Sequence, residues 1–566
     1  MAGNSGEERN PEDVAGERPP LEEKKSFFTA AFRSSAVGED QPLLDVSKSE
    51  AEANDPLLEK EDCATYHVRK GLGWFRILDD TYGTKLLISL FLIQHLTKGF
   101  AMSWISNALN YYFRDLGNIN SSTIQTYTAV VMTPWCVKGV FGMLSDTVSI
   151  RGYQKGPWIT MTALGCVCAS LYIGLYPMNS ISIAGALGCL TAQQLHIAWS
   201  DLLTEAKYSE SIRKRPKRGS DLISYIWGGV SIAQFASVAT VGILIEFASA
   251  RGVFALASIP CALGLFVGIL NLLEERRAEG SPLLKLNCDK IRQYSNYMAL
   301  VFILTGISLT LAVLGIVSTD TRLNCIVAVS LGVLVFLSFF ALADPLVAKT
   351  NTFFLLCACC YVSIEGATFY FFTDTPSQYP DGPHFSATFY TTGIGLVASS
   401  TSVFGIWMYN RYFSTSKYRT IFLVNGIVWT TINLISCAVF LRWNLKVGIP
   451  DELFVLGSQA LQQMVLQLGW IPGVVLMSHL CHEGMEATMY ALMAGSQNLG
   501  SNISYFTGAY ILEALKVQPS GNEDEGHQFE NLWLVAVFSA LGGLIPLLFL
   551  PLLIPDARPD ERLVHR

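Results

Sequence analysis

From residue 85 to residue 553 the sequence returns repeatedly to apolar runs almost free of charge. Each run is about 20 residues long, the length a helix needs to cross the hydrocarbon core of a bilayer. Lipid offers the backbone no hydrogen-bond partners, so a chain with many such runs has to pack them as a helical bundle. Composition agrees, because 51% of the 566 residues are apolar and only 15% charged, too few for the surfaces of several soluble domains. The net charge of -7 says little about partners, since the first 62 residues are rich in Asp and Glu. No basic, aromatic-interleaved surface points to nucleic acid.

The runs predict fourteen spans, at 85–104, 123–143, 158–177, 181–203, 222–248, 253–273, 298–317, 325–343, 352–372, 387–409, 420–441, 453–480, 487–511 and 530–553. Residues 1–80 read as a disordered cytosolic tail without apolar periodicity, and no cleavable signal peptide precedes the first span. Within the tail, Glu39-Asp40-Gln41-Pro42-Leu43-Leu44 fits an acidic dileucine sorting pattern, with a looser copy at Asp55-Pro56-Leu57-Leu58. Basic residues set the orientation. Lys207, Arg213, Lys214, Arg215, Lys217 and Arg218 crowd one loop, and Arg276, Arg277, Lys285, Lys290 and Arg292 another, so both loops and both termini are expected in the cytosol.

The expected architecture is therefore all-α and membrane-embedded. A six-helix bundle (81–273), a basic cytosolic linker (274–297), an inserted hairpin (298–343) and a second six-helix bundle (344–553) precede a short cytosolic tail (554–566). Two bundles of this kind are the usual construction of secondary transporters. Asn120-Ser121-Ser122 falls on the first outer loop, where glycosylation is topologically allowed. The cysteines lie in apolar runs or cytosolic segments, so no disulfides are expected, and Cys288 is a candidate for palmitoylation. His482-Glu483-Gly484-Met485-Glu486 lacks the second histidine of a zinc helix, and no metal site is expected.

A charge inside a span costs about 2.5–3.5 kcal/mol or more unless it meets a partner or a water-filled cavity. Lys98, with His95 one turn earlier, Lys138 and Glu365 all sit at depth, and either ion pairing or an aqueous path accounts for them. Asp201 and Glu205, one turn apart at a helix end, suit either pairing with Arg151 or the 213–218 cluster, or proton handling. Uncharged polar groups fall inside spans as well: Gln193, Gln194 and His196, then Gln234, then Gln459, Gln462 and Gln463, then Gln497 and Asn498. Amides can match the donor–acceptor edge of a heterocycle, and Trp199, Tyr361, Tyr370, Phe371 and Trp470 could stack on its face.

Gly142 and Asp146, followed by Arg151, resemble the cytosolic loop motif of the major facilitator superfamily, where an acid–base pair locks one conformation. A more specific resemblance begins at Trp135-Cys136-Val137-Lys138-Gly139-Val140-Phe141-Gly142-Met143-Leu144-Ser145-Asp146 and continues to Gly152-Tyr153. This stretch is similar to the folate–biopterin transporter family. Lys98-Gly99, Asp201-Leu202-Leu203-Thr204-Glu205-Ala206, Gly366 to Phe371, Cys481 to Thr488 and Asn498-Leu499-Gly500 match further, so the similarity spans about 80–510. Phe371 to Pro380 and Gly382-Pro383-His384-Phe385 look most like the trypanosomatid branch. Two features depart from the family, the 298–343 hairpin and the absence of a proline near Cys481-His482-Glu483.

The resemblance implies a secondary transporter, not an enzyme and without a cofactor, moving folate or biopterin-like pteridines by alternating access. Protons are the candidate coupling ion and S-adenosylmethionine the alternative cargo. The expected location is the cell membrane, with endosomal or lysosomal membrane as the alternative. Substrate contacts are expected at Lys98, Lys138, Gln193, His196, Gln234, Glu365, Tyr370, Gln463 and Gln497, the lysines meeting substrate carboxylates. Gating and coupling are expected at Asp146, Arg151, Asp201 and Glu205.

Overall fold

A four-residue apolar repeat organises the start of the chain. A computed structural model describes residues 63–117, 119–215, 218–275, 284–286, 295–481, 486–559 and 561. In it, helix α1 (Cys63–Tyr82) passes into α2 (Thr84–Asp115) through Gly83, whose φ of 88° suits glycine. Leu78, Tyr82, Leu86 and Leu90 repeat along this junction and are buried against Tyr208, Leu222 and Ile226. The expected 1–80 tail is corrected accordingly: residues 63–80 are helical because this stripe has a partner. Both dileucine patterns, Cys288, His482 and Glu483 lie outside the described residues.

The chain continues with α3 (Ser121–Cys136, resuming at Lys138–Thr147), α4 (Gly156–Leu175) and α5 (Ile183–Lys214). Gly219–Leu263 is one helical run broken at Ser249, where φ 60° and ψ 170° turn the chain back and divide it into α6 (219–248) and α7 (250–263). Then come α8 (Ser295–Val317), α9 (Thr321–Leu342), α10 (Pro345–Thr373), α11 (Thr388–Phe413), α12 (Tyr418–Val439), α13 (Asp451–His479), α14 (Glu486–Ala514) and α15 (Gly526–Leu553). Eleven segments of the described chain are long and apolar enough to span a membrane, one of them Asp221–Ile269, which contains the Ser249 turn. Helices α5 and α14 match their neighbours in length but carry more polar residues. Helices α2–α15 thus follow the order of the expected spans, although α2 runs well past residue 104.

Two seams join α2–α7 to α10–α15. Along one, α3 lies on α14: Asn498 and Asn502 of α14 donate to the carbonyls of Trp135 and Ala129, at 3.1 and 2.9 Å. Along the other, α6 meets the first half of α11, where the Thr392 hydroxyl donates to Val238 O at 2.7 Å and accepts from Gly242 N at 3.2 Å. The α8–α9 hairpin packs over the first seam. Leu300, Leu304, Leu311 and Val335 share one apolar cluster with Ala129 and Cys136 of α3 and with Leu499, Ile503 and Phe506 of α14.

The near face is the end of the molecule at which α2 begins. There β1 (Val148–Ile150), after α3, pairs antiparallel with β2 (Leu284–Leu286) from the segment between α7 and α8. Glu275 caps α4 beside it, its carboxylate accepting from Lys155 N and Gly156 N at 2.9 and 3.0 Å.

Candidate substrate cavity and charge cluster

Helix α10 is interrupted. Its first part ends at Cys360 and its second, Glu365–Thr373, begins after four non-helical residues. Open backbone at this depth survives only if protein groups satisfy it. Gln125 of α3 donates its amide to Ser363 O, the Ser504 hydroxyl of α14 accepts from Ser363 N at 3.2 Å, and Ser539 of α15 donates to Val362 O at 2.5 Å. Gly508 and Gly542 let those helices approach, since a Cβ on either would strike Ser363 O or Cys360 O respectively. Glu365 thereby becomes the first residue of a half-helix, where the helix dipole favours a carboxylate.

The break opens onto a cavity of about 600 Å³ between α2 and helices α10–α13 and α15. Its polar lining includes Asn107 and Asn110 of α2, Glu365, Asn433 of α12, and Gln459, Gln462 and Gln463 of α13. Glu365 is exposed to this space. One carboxylate oxygen accepts from Asn110 Nδ2 at 3.1 Å and the other from the Tyr505 hydroxyl at 3.2 Å, which orients the group and leaves lone pairs open. Tyr111, Phe369, Phe372, Tyr390 and Phe440 form an aromatic wall, with Phe369 edge-on to Tyr111 at 4.9 Å and to Tyr390 at 6.0 Å.

The far end is held shut by contacts between the halves. The Tyr370 hydroxyl donates to Ile119 O at 2.6 Å, Ser121 N to Pro519 O at 2.9 Å, and Thr388 N to Glu246 Oε1 at 2.8 Å. Arg114 lies over the rings of Tyr111 and Phe369 and donates to Thr373 Oγ1 at 3.3 Å. Just beyond α10, the Asp374 carboxyl is buried without a hydrogen-bond partner among the described residues. Burial pushes it up to about 7, against the pull of Arg114 and with the help of Glu525.

A second polar group sits among α2, α3 and α5. Asp201 receives Lys98 Nζ on one oxygen at 2.7 Å and Lys138 Nζ on the other at 2.8 Å, while Glu205 stands 3.8 and 3.7 Å from the same two ammoniums. Gln94 adds a donor to Asp201 at 3.0 Å. Two positive and two negative groups thus balance at a depth where none would be stable alone. Lys98 and Gln94 lie on a π-helical stretch of α2, Phe91–Ala101, which widens the helix against α6.

Of the residues expected to contact substrate, the cavity lining contains Glu365 and Gln463. Lys98 and Lys138 are in the charge cluster. Tyr370 is fully buried in the far seal, Gln193 donates to Ser170 at 2.8 Å, and His196 meets Thr162 at 3.1 Å within the first half. Gln234 is exposed on α6 and Gln497 half-buried on α14, both apart from the cavity. Of the gating candidates, Asp201 and Glu205 pair with the lysines, and Arg151 is exposed in a turn with φ 51°. The Asp146 side chain lies outside the described residues. Asn120 caps α3, its side-chain oxygen accepting from Thr123 N at 2.9 Å, which gives the sequon a structural task. Asn107, Asn110, Asn433 and Tyr390 were not anticipated. The i, i+3 pair Asn107 and Asn110 is a readable signal once α2 is carried past residue 104.

The BT1 family pattern matches residues 98–564, nearly all of the membrane region. The chain belongs to the BT1 family. Relatives of this BT1 chain include the "Probable folate-biopterin transporter 6" of Arabidopsis thaliana, 24% identical over 87% of each chain. They also include the "Folate-biopterin transporter" of Synechocystis sp., 24% identical over 80% of this chain and 79% of that one, and "Folate transporter 1" of Plasmodium falciparum, 21% identical over 80% and 77%. Among solved structures, a peptide transporter POT in complex with sulfate superposes with TM-score 0.59 at 13% identity, covering 83% of this chain and 95% of that one. A D-xylose-proton symporter gives 0.54 at 12% identity, covering 85% and 100%. These likenesses establish an all-α, multi-pass membrane transporter fold for this BT1 chain and agree with the resemblance read from its motifs.

Proposed function

We propose that the protein is a secondary transporter that carries folate or biopterin-like pteridines across its membrane by alternating access. The observation that supports this most is the cavity at the α10 break, where amides, one carboxylate and an aromatic wall surround about 600 Å³. A pterin ring is flat and edged by alternating donors and acceptors, so it suits amide partners on its rim and aromatic rings on its face. The volume lies within the range of about 300–1,000 Å³ usual for small-molecule sites. BT1 relatives whose names specify folate or biopterin transport point the same way. On this reading α2–α7 and α10–α15 are the two moving bundles, α8–α9 is an insertion, and Asp146 with Arg151 forms the near-face lock. The Lys98, Lys138, Asp201 and Glu205 cluster is the proposed element for proton coupling.

The test is uptake of radiolabelled folate, biopterin and S-adenosylmethionine into proteoliposomes with and without an imposed pH gradient. Saturable pteridine uptake supports the reading, and absence of any pteridine uptake by folded protein sinks it. S-adenosylmethionine is the second reading because Glu365 also suits a cation. We place the protein in the cell membrane, with endosomal or lysosomal membrane as the alternative, and Leu43→Ala with Leu44→Ala tests which by moving a fluorescent fusion between the two.

A further inference from the structure

A pteridine site is asked to do different things by its two classes of ligand. Folate brings a glutamate tail with two carboxylates, whereas biopterin brings hydroxyls and no carboxylate. Each carboxylate moved from water into a low-dielectric cavity has to find a cation or several donors. Among the described residues the lining contains neither Lys, Arg nor His, and Glu365 is its one ionisable Asp or Glu. Glu365 is held by the neutral partners Asn110 and Tyr505, and no cation stands within ion-pair distance of it among the described residues.

The cations described above are committed elsewhere. Lys98 and Lys138 share Asp201 at 2.7 and 2.8 Å. Arg114 lies over the rings of Tyr111 and Phe369, donates to Thr373, and acts on the buried Asp374. A folate tail entering this cavity therefore meets a fixed negative charge and no fixed positive one. The other end of the ligand fits well. The 2-amino group and N3–H of a pterin form two parallel donors, the geometry a single carboxylate accepts side by side. Gln459, Gln462 and Gln463 face the same space and offer amides to the remaining ring atoms.

We propose that the cavity selects pterins without free carboxylates over folate, with Glu365 as the specificity-determining residue that receives the 2-amino and N3–H edge. This rests on the transporter reading above and narrows its substrate class. At about 600 Å³ the cavity is in the usual range for small-molecule sites, so the choice is assigned to charge and not to volume.

The experiment measures equilibrium binding of biopterin, folate, folate dimethyl ester and S-adenosylmethionine to the full-length protein in nanodiscs. Biopterin is expected to bind at least tenfold tighter than folate, a difference of about 1.4 kcal/mol, and the uncharged ester is expected to recover most of that gap. Glu365→Gln should weaken biopterin at least tenfold and narrow its lead over folate, because folate loses the same ring contact but is also relieved of the repulsion on its tail. Folate binding as tightly as biopterin to the unmodified protein overturns the proposal while leaving a pteridine transporter intact. So does tighter binding of S-adenosylmethionine than of biopterin. If no pteridine binds, the proposal falls together with the functional reading beneath it.

Discussion

Single residues in the first half carry charge that the bilayer would not tolerate unpaired. Asp201 serves two lysines at once, so Asp201→Asn leaves Glu205, at 3.8 and 3.7 Å, as the remaining anion beside Lys98 and Lys138 among the described residues. The expected loss is on the order of 3–5 kcal/mol, as for other buried pairs stripped of one partner. It should appear as a lower melting temperature in detergent, larger than that of the more exposed Glu205→Gln; equal melting temperatures for Asp201→Asn and wild type would rule out a structural role. At the far end, the Asp374 carboxyl binds its proton more tightly folded than unfolded, because burial raises it to about 7. Stability from this group is therefore fully present below its ordinary value of about 4 and is lost as the pH rises towards the folded value. Between about pH 5 and about pH 8, wild type should lose more thermal stability than Asp374→Asn; parallel profiles would contradict this. Lys98, Lys138, Asp201, Glu205 and Glu365 were legible in the sequence, since each is a charge inside an apolar run or at its end. Their grouping was not, because it depends on how α2, α3 and α5 are rotated against one another.

At the level of elements, hydropathy made the helices readable and hid the break that matters. The residues that leave the helix, Tyr361-Val362-Ser363-Ile364, include neither Gly nor Pro. Their conformation is imposed by Gln125, Ser504 and Ser539 and by the closeness that Gly508 and Gly542 allow, all distant in sequence. Gly508→Ala should push α14 off Ser363 and destabilise the protein by about 1–3 kcal/mol, the usual range for overpacking. Gly306→Ala on α8, where nothing lies within 4 Å, is the matched control and should be neutral. Equal melting temperatures for the two variants would contradict the account. The polar residues of α2 beyond residue 104 were missed for a related reason: Asn107, Asn110 and Arg114 read as the start of a loop, yet they are polar because they border the cavity and the seal. Helix α1 was missed because its apolar stripe is thin and gains meaning only from α5 and α6.

For the whole molecule, the far seal between α6 and α11 defines the captured conformation. A Cβ built on Gly395 lies 3.6 Å from Val238 Cβ, inside the range of about 3.5–4.5 Å that disulfides occupy. In a background without other cysteines, Val238→Cys with Gly395→Cys should cross-link on mild oxidation, stop transport, and recover activity on reduction. Transport persisting in fully cross-linked protein would show that this seam does not open. The overall order of helices was readable from apolar runs and basic loops, whereas the seams were not, since side-by-side packing in lipid depends on small residues and scattered amides and not on hydropathy.

The interrupted α10 has a consequence in time. The chain is made from its N-terminus, and the groups that satisfy residues 361–364 include Ser504, Gly508, Ser539 and Gly542. At about 5–20 residues per second, synthesis reaches the last of them roughly 10–40 seconds after α10 has been made. Through that interval the Gln125 amide of α3 is, among the described residues, the one partner of this backbone from another helix already made, and lipid supplies none, so the break is expected to set only when α14 and α15 arrive. The cavity at the break is then expected to be completed last, and a nascent chain arrested before α14 should fail to bind the pteridine proposed for the released protein.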